Sequence, residues 1–216
     1  MKFHIVCLCQ DKEENNLKLY IIRHGETEWN KEMRLQGWNN SNLTQYGVEN
    51  AEKLSQRLKD IDFDYIYSST QRRAIETANI IKGERNTEII QLEGLREIGF
   101  GSWEGMKIED INLKYNNEYN TYINKPHLYR PVDGESFQEL FSRVKDSLER
   151  ILSKKGENIL IVCHGVTIKA LFSIIKGIPL EEFYKIPIYP GTALNICEVN
   201  GDDMRFILEG DTSHID

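Results

Sequence analysis

The chain has 216 residues, with 27 Lys and Arg against 34 Asp and Glu, a formal net charge of −7. That length suits one large α/β domain with a substantial core. An acidic balance without a basic block or stripe argues against nucleic-acid binding, and no apolar run approaches the length of a membrane span.

Residues 1–17 read as an N-terminal extension ahead of a single domain over 18–216. The run Phe3 to Leu8 is apolar but short and lacks a small-residue cleavage site, so a signal peptide is not expected. The link from Gln10 to Asn16 is charged and Asn-rich. An extra edge strand, a flexible tail and a misassigned start all fit this segment. Cys7, Cys9, Cys163 and Cys197 are irregularly spaced; reduced thiols and a cytoplasmic location are the expectation. Cys7-x-Cys9 is too thin for zinc.

Leu19-Tyr20-Ile21-Ile22 reads as a buried parallel strand. Arg23 and His24 then lie just past its carboxyl end, where open α/β sheets bind ligands, and Gly25 permits a sharp turn. A cation, an imidazole and exposed backbone N–H groups suit an anion, phosphate above all. Taken alone, Arg23-His24-Gly25 reads as a salt-bridged strand cap; short motifs have many false matches.

Thr27 to Asn40 reads as a polar loop. Thr44 is the expected N-cap of a helix to about Lys59, with Val48, Ala51, Leu54 and Leu58 at helical spacing. Phe63 to Tyr67 reads as a strand capped by Ser68-Ser69. The next helix, Thr70 to Ile81, carries Arg73 in its first turn, where positive charge is unfavourable. An anion between Arg73 and the helix end explains that placement. Ile89-Ile90 opens a short strand leading to Leu95-Arg96-Glu97-Ile98.

A cap insertion is expected at about 105–131, short and helical with a loop, ending near Pro126 and Pro131. Its Tyr115, Tyr119, Tyr122 and Tyr129 either hold an organic leaving group or make the cap's own core. Ser136 and Glu139 form a capping box for a helix to about Lys154, whose stripe from Phe137 to Leu152 is core. Asn158 to Val162 is another apolar strand, followed by Cys163-His164-Gly165 and a helix from Val166 to Ile175. This repeats the grammar of the first corner, so neighbouring strands would bring both histidines into one crevice. Leu194 to Val199 and Arg205 to Glu209 read as a hairpin. His4, His127 and His214 match no motif and receive no role.

Arg23-His24-Gly25-Glu26-Thr27, Ser68 to Ala74 with Thr77-Ala78, Leu95 to Gly105, and Cys163-His164-Gly165 together resemble the histidine phosphatase (phosphoglycerate mutase-like) superfamily. They follow the family's order from about Lys18 to the end. The resemblance implies a three-layer α/β/α fold, its central sheet mostly parallel with an antiparallel edge. The family's catalytic arginine immediately precedes Ala, which selects Arg73 over Arg72. The resemblance further implies that Asn30 contacts the phosphoryl oxygens and that Gln36 and Gly37 lie near the substrate. Thr27 and Gly165 join this phosphate-binding set. The family often has Asn where Gly191 stands, which leaves one minor contact open.

The implied reaction is phosphoryl transfer through a phosphohistidine. His24 attacks phosphorus as a neutral imidazole, and Arg23, Arg73 and a cationic His164 surround the equatorial oxygens. Glu97 protonates the leaving oxygen and then activates water. No metal or cofactor is expected. Three readings compete: a phosphomonoesterase acting on a small phosphorylated metabolite, a cofactor-dependent phosphoglycerate mutase, and an inactive binding protein. Every position the chemistry needs is occupied, which weakens the last. Family mutases carry Glu-Arg-His-Tyr-Gly and paired arginines in a longer insert. Here the stretch is Glu97-Ile98-Gly99-Phe100-Gly101, and Arg130 is the one arginine from Lys107 to Arg130, which resembles the phosphatase branch. A monomer or homodimer is expected.

Overall fold

A computed structural model describes residues 17–215. The expected extension, apart from Leu17, lies outside the described residues, as do Cys7 and Cys9. Four strands run parallel: β1 (Leu17–Arg23), β2 (Tyr65–Ser69), β3 (Ile89–Leu92) and β4 (Asn158–Cys163). β5 (Leu194–Asn200) and β6 (Asp203–Asp211) add an antiparallel edge, giving the order β3-β2-β4-β1-β5-β6. β1 starts at Leu17, earlier than its apolar run suggests, because Leu17 pairs with Val199 of β5.

Both faces of β1 are covered, which is why it reads as a continuous apolar run rather than an alternation. Leu19 and Ile21 join one core cluster, and Tyr20 and Ile22 join the other. On the second face lie α2 (Gln45–Arg57) and α3 (Arg72–Lys82), contributing Leu54, Ala74, Ala78 and Ile81. On the first lie α6 (Phe137–Leu152) and α7 (Gly165–Lys176), contributing Leu140, Val144, Ile168 and Leu171. Each fully buried Leu or Ile of this kind stabilises the fold by about 1.5–3 kcal/mol. Three α/β/α layers result, and no helix among the described residues is long and apolar enough to cross a membrane.

One segment differs from the reading of the sequence, and a second decides a choice left open there. The polar stretch after Gly25 contains a one-turn helix, α1 (Glu28–Lys31), held by a capping box between Thr27 and Asn30. The cap folds as α4 (Ile108–Lys114), α5 (Asn116–Asn124) and a 3₁₀ turn at Pro126–Leu128. Tyr122 and Tyr129 are buried among Trp103 and Phe137. These two tyrosines therefore pack the cap onto the domain's main core.

The register of β1 on β4 positions the rest. Arg23 pairs with Cys163, so the next residue of each strand, His24 and His164, emerge side by side. The His24 amide continues the ladder by donating to the Cys163 carbonyl at 3.0 Å.

Candidate active site

The rings of His24 and His164 lie 5.1 Å apart, centroid to centroid, and both are buried. His24 Nδ1 is 2.7 Å from the Gly25 carbonyl oxygen, which can only accept, so Nδ1 carries the proton. Nε2 is then a bare lone pair, and it accepts from Arg73 Nε at 3.3 Å. Two independent partners thus select one tautomer. Burial, followed by the charges of Arg73 and Arg23, holds the His24 imidazole well below its ordinary pKa and keeps it neutral. His164 Nε2 shares a hydrogen bond with Ser69 Oγ at 2.8 Å, while its Nδ1 is buried without a partner. Burial, with Arg73 next, drives this pKa far down as well. Desolvation and the nearby arginines thus favour the neutral imidazole at His164; the expected cation is a form of the phosphoryl-bound site.

Arg23 donates from NH1 to the Tyr189 carbonyl at 3.1 Å, and its Nε is buried without a partner. A Cβ on Gly165 would stand 3.6 Å from that Nε, so the guanidinium lies against the start of α7. Gly191 leaves no room for a side chain. A Cβ there would come within 2.8 Å of His24 O and Glu26 N. Arg73 sits in the first turn of α3, and NH1 donates to Asn39 O (2.7 Å) and Asn40 Oδ1 (3.1 Å). Its NH2 donates to Gly37 O at 3.0 Å. Burial pushes its pKa down to about 10, opposed by Glu97, so it stays cationic at neutral pH. Arg72 points outward and pairs with Glu76.

Glu97 is nearly buried and caps the N-terminus of α7 with its side chain. Oε1 accepts from the amides of Ile98 (3.1 Å) and Thr167 (3.2 Å), while Thr167 Oγ1 donates to Arg96 O at 2.7 Å. Oε2 accepts from Val166 N at 3.2 Å. Anionic groups are favoured at helix N-termini by the backbone dipoles, and three amide donors fix this carboxylate's direction. Its backbone is held as firmly. The amide donates to Gln71 Oε1 (2.7 Å), and the carbonyl accepts from Trp38 Nε1 (2.9 Å) and Arg143 NH2 (3.0 Å).

A sequence profile described as "Histidine phosphatase superfamily (branch 1)" matches residues 19–212. The chain belongs to the histidine phosphatase superfamily. A solved structure titled YhfR from Bacillus stearothermophilus superposes with a TM-score of 0.89 at 41% identity, covering 93% of this chain and all of that one. Phosphoserine phosphatase 1 of Hydrogenobacter thermophilus is 32% identical over 78% of this chain and 80% of its own. The probable phosphoglycerate mutase GpmB of Escherichia coli O1:K1 is 36% identical over 93% of this chain and 95% of its own.

In this superfamily member the loop after the first corner is built on Thr27. Its Oγ1 donates to Asn30 Oδ1 and accepts from Asn30 N and Gln36 Nε2. Every hydrogen-bonding position of that hydroxyl is taken, so Thr27 shapes the loop rather than facing a ligand, as the reading of the sequence had it. Asn30 commits Oδ1 to the same cap. Gln36 is buried beside Thr27, and Gly37 turns its carbonyl to Arg73 and Gln71.

Five residues of the site escaped the reading of the sequence: Ser69, Gln71, Glu135, Arg143 and Thr167. Ser69 and Gln71 stand inside a matched motif and Thr167 lies two residues past another, positions that could have flagged them. Arg143 pairs with buried Glu135 and also donates to the carbonyls of Gly94, Arg96 and Glu97. Among the described residues no three His, Cys, Asp or Glu side chains gather as a metal-binding group. An open cavity of about 510 Å³, lined by Met33, Lys107, Ile108 and Tyr119 among others, shares no residue with the histidine pair.

Proposed function

We propose that this chain is a phosphomonoesterase that hydrolyses a small phosphorylated metabolite, without a metal, through a phosphohistidine at His24. One observation carries the reading. Arg23 Nε and His164 Nδ1 are buried polar atoms without partners on the two corners that carry His24 and His164, and the unprotonated Nε2 of His24 meets the Arg73 guanidinium there. Buried polar groups are rarely left unpaired, and a phosphoryl group would satisfy both while placing phosphorus before the nucleophile.

His24 Nε2 forms the N–P bond as the ester P–O bond breaks and its electron pair leaves on oxygen. Glu97, protonated beforehand, gives that oxygen its proton and becomes the carboxylate. Water then attacks phosphorus, Glu97 takes a proton from it, and the N–P bond breaks to free phosphate. Arg23, Arg73 and the Gly165 amide at the start of α7 bear the equatorial oxygens' charge. Asn30 Nδ2 and His164 Nδ1 serve as further contacts, and Gln36 and Gly37 border the leaving group. Bound phosphoryl would also supply the negative charge that allows His164 to take up a proton.

Similarity to a named phosphoserine phosphatase supports a small leaving group, and Glu97-Ile98-Gly99 in place of the mutase stretch supports hydrolysis over transfer. The test is phosphate release in EDTA from a panel of monoesters, wild type beside His24→Ala. Release that survives EDTA and vanishes in the mutant supports the proposal. Conversion of 3- to 2-phosphoglycerate without net release would replace it with a mutase.

A further inference from the structure

We infer that the C-terminal segment Gly210–His214, the end of β6 and the turn after it, is a positioning element for Arg23 and His24, acting through the segment Tyr189–Thr192. The inference rests on the phosphomonoesterase reading only in naming what Arg23 is positioned for. The segment grips the first corner at three points. Tyr189 O accepts from the Arg23 guanidinium, and Gly191 lies against His24 O. Thr192 N donates to Arg23 O at 3.0 Å. To make that last bond Thr192 adopts φ of 65°, in the left-handed region, while fully buried. A β-branched residue there is strained, and such strain persists only where its surroundings enforce it.

The enforcing contacts come from the chain's end. Thr192 Oγ1 shares a hydrogen bond with His214 Nε2 at 3.2 Å. The Tyr189 ring lies so close over Gly210 that a Cβ at 210 would come within 2.1 Å of it. Gly210 N donates to Asn195 Oδ1 (2.7 Å), and Asn195 Nδ2 donates to Ile21 O of β1 (2.9 Å). The C-terminal segment itself is tied to α2: Asp211 makes a two-pronged ion pair with Arg57, and Lys53 Nζ reaches Ile215 O. Gly210-Asp211-Thr212-Ser213-His214, which carried no assignable chemistry in the sequence, thus supports the wall behind Arg23.

The test measures binding of inorganic phosphate by calorimetry, which needs no turnover, and kcat and KM on the best ester of the panel. The variants are His214→Ala, Thr192→Val, their double and His214→Gln. Each single change is expected to weaken phosphate binding and lower kcat/KM about tenfold, the scale of one lost buried hydrogen bond. The double should be no worse than the worse single, and His214→Gln should recover part of the loss. Thr192→Gly removes the hydroxyl but relieves the strain, so it should show the same loss at undiminished thermal stability. Phosphate binding within twofold of wild type in His214→Ala and Thr192→Gly, or losses that multiply in the double, would overturn the inference. A wild type that binds phosphate but hydrolyses no ester would overturn the phosphomonoesterase reading alone. A wild type that binds no phosphate would overturn both.

Discussion

Arg73 Nε donates to His24 Nε2 across 3.3 Å, so the site's deepest cation rests on the lone pair of the proposed nucleophile. The contact fixes the tautomer and, second to burial, keeps the imidazole neutral, as nucleophilic attack requires. Arg73 is itself held by Gly37, Asn39 and Asn40 through the fork of its guanidinium. Lysine keeps the charge but cannot reproduce that fork. Arg73→Lys should therefore lower kcat/KM for an aryl phosphate about a hundredfold, the range for losing one bidentate charge-stabilising group. His24→Ala should abolish turnover. A threefold loss or less in Arg73→Lys would remove the guanidinium from the chemistry.

Glu97→Gln separates positioning from proton transfer. The amide is isosteric, but its NH₂ must face either Val166 N or the Ile98–Thr167 donors, where oxygen now accepts. A general loss follows from that mismatch. Loss of the proton donor adds a penalty that grows with the basicity of the leaving group. Alkyl phosphates should therefore lose more than p-nitrophenyl phosphate, whose leaving group needs little protonation. Equal losses on both would leave Glu97 a structural cap of α7.

The strands and both histidine corners were legible because buried parallel strands are continuous apolar runs, and Gly after His marks the turn in each. The α1 turn was not, since the four residues Glu28-Trp29-Asn30-Lys31 are too few to show a periodicity and the helix exists by virtue of Thr27 and Asn30 capping each other. The tyrosines of the cap left two readings open until packing placed Tyr122 and Tyr129 against Trp103 and Phe137. Ser69, Gln71 and Thr167 have no chemistry of their own that a pattern would betray. Their roles come from β2, α3 and α7 converging on His164 and Glu97. The neutrality of His164 depends on burial among arginines, which only the folded arrangement supplies.

Arg143 lies behind the site, and its removal should be felt first in stability. It pairs with Glu135, whose side chain is 7% exposed, and satisfies three carbonyls leading into Glu97. Arg143→Met leaves that carboxylate buried without its partner. Breaking a buried pair in this way costs about 3–5 kcal/mol. Urea unfolding should register a loss of that size, and Glu135→Gln combined with Arg143→Met should recover part of it. A loss under about 1 kcal/mol, as for an exposed pair, would show that the two are solvated.

The two buried histidines tie stability to pH with a defined sign. In the unfolded chain each takes up a proton near the ordinary value of about 6.5, whereas both folded pKa values lie well below it. As pH falls through about 6.5 the unfolded state binds protons that the folded state does not, so unfolding becomes easier. Each site contributes a slope of up to about 1.4 kcal/mol per pH unit, which persists until the folded group itself titrates. Carboxylates held ionised in the fold push the same way, so the wild-type slope alone does not isolate the histidines. His164→Asn does: its urea-unfolding free energy should fall less steeply than wild type between about pH 5 and 6.5, by up to that single-site slope. Saturating phosphate should flatten the wild-type slope too, because a bound anion favours the proton on His164 that burial otherwise excludes. Equal slopes in wild type and His164→Asn would mean that His164 titrates alike in the folded and unfolded chains.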